Sequence, residues 1–139
     1  MATYTHGDAQ DLLERYKLAW EKRSPDLALE MYGQDAEVRL DPFDDPQTGL
    51  NAIREIWNDV AATQDHVEFD AERIWVVERT VLASWHAAFT RRSNSERVRI
   101  RGFSTFELDE AGLIQRQRQW AQSRVVGQDS THRAQEGSD

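Results

Sequence analysis

The chain has 139 residues, 39 % apolar and 30 % charged, with a formal net charge of −8 and no cysteine. That length supports one substantial core, and the acidic balance speaks against nucleic acid or anionic lipid as the main partner, because either requires clustered Lys and Arg. The lack of cysteine excludes disulfides, thiolate nucleophiles and thiolate metal sites, and no apolar run approaches the roughly 18 residues of a membrane span or resembles a signal segment. The expectation is a single acidic, cytoplasmic domain.

In chain order, residues 1–6 form a lead-in. Asp8 is a candidate N-cap for a helix carrying Leu12, Leu13, Tyr16, Ala19 and Trp20 at helical spacing to about Arg23. Ser24-Pro25 restarts a helix, with Ser24 as cap and Pro25 at the first position; its apolar residues are Leu27, Ala28, Met31 and Tyr32. A short strand, Ala36 to Leu40, leads into the turn-rich segment "DPFDDPQTG". Leu50, Ile53, Ile56, Trp57 and Val60 mark a third amphipathic helix.

The periodicity then changes from 3.6 to 2. Val67, Phe69 and Ala71 alternate with acids, and Ile74 to Val77 is a continuous apolar run. Val81, Ala83, Trp85, Ala87 and Phe89 share one strand face, and Val98, Ile100, Gly102, Ser104, Phe106 and Leu108 share the next. Asp109-Glu110-Ala111-Gly112 is a hairpin turn, and Leu113 to Val125 the last strand. Residues 127–139 are polar and aperiodic, predicting a disordered tail. Three helices followed by four successive strands give an α+β domain, with an antiparallel sheet curved around a helical layer and a concave pocket between them.

Four features could carry chemistry. Asp41 stands at a strand end, where it is either a general base beside an apolar pocket or the first residue of a turn before Pro42. Tyr16, Trp20, Tyr32 and Trp57 lie on inner helical faces; each could be core, but a buried tyrosine hydroxyl needs a partner. Ser104 is the one polar side chain on an apolar strand face. His86 has no second histidine or cysteine at ligand spacing, so no metal is expected. Arg97, Arg99 and Arg101 form a charged row balancing Glu68, Asp70 and Glu72.

The stretch "LLERYKLAWEKRSPDLALEMYGQDAEVRLDPFDDPQTGLNAIREIW" resembles the N-terminal half of the nuclear transport factor 2-like superfamily, in particular ketosteroid isomerases and SnoaL-like polyketide cyclases. "GFSTFELDEAGLIQRQRQW" fits the C-terminal half, and the likeness spans residues 8–125. The resemblance implies a cone-shaped fold, a homodimer through the outer sheet face, no cofactor, and a small hydrophobic molecule as ligand. In isomerases of this kind an aspartate moves a proton while a tyrosine and a protonated aspartate hold the enolate oxygen. By motif, the tyrosine falls on Tyr16 in "ERY" and the base on Asp41 in "DPF"; Tyr32 in "EMY" supports, and a further tyrosine is replaced by Trp57, which donates but cannot accept. The oxyanion acid falls on Ser104, a weaker donor. Trp20, Trp85, Phe106 and Trp120 are expected to complete the pocket and the shell behind it. From Ala36 to Asp41 the chain has one residue more than the isomerase spacing, which turns Asp41 to the other face unless a bulge absorbs it. Gln119 and Gln122 stand where related epoxide hydrolases and cyclases place acids. The expected function is therefore proton transfer next to a carbonyl with Asp41 as base, against a non-catalytic ligand-binding or dimerisation module of the same fold.

Overall fold

The computed structural model describes residues 3–128. Its elements are α1 (His6–Glu21), α2 (Pro25–Leu29), β1 (Tyr32–Arg39), β2 (Gln47–Thr48), α3 (Leu50–Thr63), β3 (Gln64–Val77), β4 (Thr80–Arg91), β5 (Glu96–Leu108) and β6 (Ile114–Gln128). Thr5, not Asp8, caps α1: the Thr5 hydroxyl accepts from the Asp8 amide while the Asp8 carboxylate accepts from the Thr5 amide, a reciprocal capping box. Ser24 caps α2 with Pro25 behind it, as the sequence suggests.

The second helix is shorter than its spacing implies. It stops at Leu29, and Tyr32 is the first residue of β1 rather than part of the helix. The Ile114 amide donates to the Met31 carbonyl at 2.7 Å, and Tyr32 pairs with Ile114, so the sheet captures a segment whose local pattern is helical. Residues 127 and 128 belong to β6 rather than to a tail; the rest of the expected tail lies outside the described residues.

The six strands form one mixed sheet in the order β2-β1-β6-β5-β4-β3. β3 to β6 pair antiparallel, as successive strands joined by short turns must, whereas β1 lies parallel to β6. At the β5–β6 turn the Asp109 carboxylate accepts from the Ala111 and Leu113 amides, and Gly112 takes φ 83°. The core lies between the helices and the inner sheet face, where Leu12, Ile53, Phe69, Val81, Phe106 and Ile114 are buried. No helix among the described residues is long and apolar enough to cross a membrane.

Candidate active site

Inside the helical layer Tyr16 is the hub of an aromatic cluster. Its ring centroid lies 5.5 Å from Trp57, 5.4 Å from Phe69, 5.7 Å from Phe106 and 6.2 Å from Trp20, mostly edge-on. Behind it Trp85 packs 5.9 Å from Trp20 and 5.5 Å from Phe69. The aromatics fill most of the concavity that the bent sheet would otherwise leave open. A cavity of about 160 Å³ remains, bounded by α1, α3, β1 and the inner faces of β5 and β6. Val38, Leu40, Ile56, Val60 and Ile100 form its apolar wall. Tyr16, Tyr32, Trp57, Gln64, Gln117 and Gln119 supply its polar atoms. A larger cleft elsewhere, of about 400 Å³, is lined by the exposed Arg99, Arg101 and Arg124.

A chain of hydrogen bonds runs through the floor of this cavity. Tyr32 donates to Gln117 Oε1, and Gln117 Nε2 lies 3.3 Å from the Tyr16 hydroxyl. Tyr16, Tyr32, Trp57 and Gln117 are all buried, Gln117 at 1 % exposure. Burial raises the Tyr16 phenol to about 12, against a smaller opposing effect of the Gln117 amide, and raises Tyr32 well above its ordinary value. Both phenols therefore stay protonated at neutral pH. A second pair, Trp20 Nε1 donating to Gln64 Oε1 at 2.8 Å, closes the side next to α3.

The residues singled out in the sequence separate into those that the fold brings here and those it does not. Tyr16, Trp20, Tyr32 and Trp57 line the cavity, while Phe106 and Trp85 pack in the aromatic cluster behind it. Ser104 is 2 % exposed, but its Oγ accepts from Trp85 Nε1 at 2.9 Å and it does not line the cavity. Trp120 is on the opposite face of β6 from Gln119, 42 % exposed and paired with Phe103, so it belongs to the outer sheet surface. His86 is also on the outer surface, with Nδ1 2.9 Å from Glu72.

Asp41 is exposed and lies outside the cavity lining. Its carboxylate accepts from the Phe43 amide at 2.9 Å and its carbonyl from the Asp44 amide at 3.0 Å, which makes it the opening residue of a turn. The reason is register. β1 does carry an irregularity against β6, but between Tyr32 and Glu37; from Glu37 to Arg39 the pairing is regular. Ala36 and Val38 are buried and Leu40 lines the cavity, so alternation carries Asp41 away from it.

Gln117 is the residue that sequence reasoning missed. The signal was present: on β6, Gln117 shares its face with Gln119 and Ala121, and an amide on the inner face of a sheet must find partners.

Comparison with known proteins agrees with this architecture. The SnoaL-like domain profile matches residues 13–117. No curated protein sequence matches the chain. Among solved structures, the epoxide hydrolase/cyclase-like enzyme SalBIII, described in pyran ring formation in the polyether salinomycin, aligns with a TM-score of 0.75 at 19 % identity, covering 84 % of this chain and 95 % of that one. A putative aromatic ring hydroxylase from Novosphingobium aromaticivorans aligns with a TM-score of 0.73 at 23 % identity over 86 % of this chain and 90 % of the other. A hypothetical protein with a ketosteroid isomerase-like fold from Catenulispora acidiphila, in complex with trimethylamine, gives 0.70 at 10 % identity over 78 % and 83 %. At these identities the neighbours speak to the fold, and the profile match over most of the chain decides the family: this chain belongs to the SnoaL-like domain family of the nuclear transport factor 2-like superfamily.

Proposed function

We propose that the chain binds a small, uncharged, mostly apolar molecule of about one ring in the cavity beside Tyr16, without Asp41 as a base. The observation that carries this is the lining itself: apolar side chains, two protonated phenols, two indoles and three carboxamides, with no ionisable group other than the phenols. A charged ligand would lose its hydration there without gaining a counter-charge, which is strongly unfavourable. At about 160 Å³ the cavity is close to the ~150 Å³ engineered cavity that accepts benzene, so a polycyclic ligand requires the aromatic cluster to move. Proton abstraction next to a carbonyl needs a base within hydrogen-bond reach of the substrate, and the Asp41 carboxylate is engaged in a turn outside the cavity. Titrating the protein with cyclohexanone while following tryptophan fluorescence should give a saturable change, unaltered in Asp41→Asn. No saturable change would end the binding reading; loss of turnover of an activated enolisable ketone in Asp41→Asn would restore the base.

We also propose that the chain forms a homodimer through the outer face of the sheet. Trp75 and Trp120 are 40 % and 42 % exposed there, with Phe103 between them, 6.1 Å from Trp75 and paired with Trp120. Further along the same face, Arg99 stands directly opposite Arg124, a like-charge pairing that is unfavourable alone, while Glu68 lies at the same level on the β3 edge. A two-fold axis running along the strands lays the acidic edge of one copy over the arginines of the other and Trp75 over Trp120, a self-complementary contact. Sedimentation velocity should show a dimer that Trp120→Asp dissociates. A monomer at every concentration would refute it.

A further inference from the structure

The direction of the hydrogen-bond chain under the cavity follows from the donor inventory. Trp57 Nε1 can only donate, and it lowers the Tyr32 phenol against the larger effect of burial. Tyr32 sends its own proton to Gln117 Oε1. That places the amide oxygen of Gln117 toward Tyr32 and leaves the NH₂ group toward Tyr16. The Tyr16 oxygen accepts from that group, and among the described residues no protein acceptor receives the Tyr16 proton. Tyr16 lines the cavity at 7 % exposure, and the cavity is the direction left for that proton.

We propose that Gln117 is a positioning residue that turns the Tyr16 hydroxyl into an obligate donor, so that the cavity selects molecules carrying a hydrogen-bond acceptor such as a ketone oxygen. The proposal rests on the small-molecule binding reading above and adds its polarity. An apolar residue at this position would supply neither the acceptor for Tyr32 nor the donor to Tyr16. A carboxylate would accept from both phenols and turn the lone pairs of Tyr16 to the cavity. The amide accepts on one side and donates on the other without a charge at any pH, which a carboxyl of the same shape does only while protonated.

The test compares cyclohexanone with methylenecyclohexane, the same shape without the oxygen, by tryptophan fluorescence. In the wild-type protein the ketone should bind about five- to tenfold tighter, the worth of one net hydrogen bond. In Gln117→Glu the ratio should fall to about one as the carboxyl ionises and return as it is protonated, between about pH 5 and 9, because a neutral carboxylic acid again accepts from Tyr32 and donates to Tyr16. Hydrocarbon affinity should stay level throughout, which a merely structural defect would not allow. Equal binding of both probes by the wild type, or a pH-independent ratio in Gln117→Glu, overturns the proposal and leaves the binding reading standing. Failure of both probes to bind overturns the binding reading. The direction is also read without ligand or mutation, from nuclear Overhauser contacts of the Gln117 side-chain amide protons in the labelled wild type. Contacts to the Tyr16 ring support the assignment, and contacts to Tyr32 instead refute it.

Discussion

Phe69→Ala should cost about 4–5 kcal/mol, the upper half of the roughly 3–5 kcal/mol that removal of a buried aromatic costs. Phe69 is 1 % exposed and packs within 5.6 Å of the rings of Tyr16, Trp20 and Trp85. The size of the loss depends on whether the surroundings can close the hole, and here the backbone is pinned. The Phe69 carbonyl accepts from Lys17 Nζ at 2.7 Å and its amide donates to Glu21 at 2.9 Å, both on α1. Lys17 is also paired with Glu21 and Asp70, so β3 is tied to the helix at the position that would have to move inward. With an m-value of about 2 kcal/mol/M, the urea midpoint should fall by roughly 2 M. Because the hole adjoins Tyr16, the variant should also accept a two-ring ketone that the wild type rejects. A midpoint shift below about 0.5 M, with no gain in ligand size, would mean that β3 collapses onto α1 after all.

What the sequence revealed follows the reach of each signal. Helical spacing placed Tyr16, Trp20 and Trp57 on inner faces, and period-two alternation placed Phe69, Trp85, Ser104 and Phe106 on the inner sheet face, because these patterns depend on a single element. Tyr32 was assigned to the wrong element, since its capture by β6 depends on a partner 82 residues away, Ile114. The parallel β1–β6 pairing is equally non-local. Asp41 and Trp120 are a different matter. The alternation that buries Val38 also turns Asp41 outward, and the alternation that puts Gln117 and Gln119 inside puts Trp120 outside. Motif likeness suggested roles for these residues that their own strand positions did not support. Motif likeness on the last strand points to Gln119 and Gln122, whereas the buried amide that joins the two phenols is Gln117, one alternation earlier than Gln119.

Gly102→Ala should be nearly as damaging, for the opposite reason. A Cβ built on Gly102 falls inside the contact distance of the Trp85 indole, whose six-membered ring lies flat against this stretch of β5. Gly102 is paired with Trp85 across the strands, and its role is close approach rather than unusual backbone geometry. Trp85 is 2 % exposed, with Trp20 and Phe69 against its ring, so the indole has no open space into which to retreat. Overpacking of this kind costs about 1–3 kcal/mol. Moving the ring also breaks its bond to Ser104 Oγ and leaves two buried polar groups unpaired, a further 1–3 kcal/mol or so. Thermal unfolding, at roughly 3 °C per kcal/mol for a domain of this size, should therefore drop by about 10 °C. Ser104→Ala, which removes the acceptor without crowding the ring, should show only the smaller hydrogen-bond share. If the two variants lose the same stability, the indole is not packed on Gly102. If Gly102→Ala loses more, as the geometry requires, the Trp85 ring is packed on Gly102 and held there by Trp20, Phe69 and the Ser104 hydroxyl.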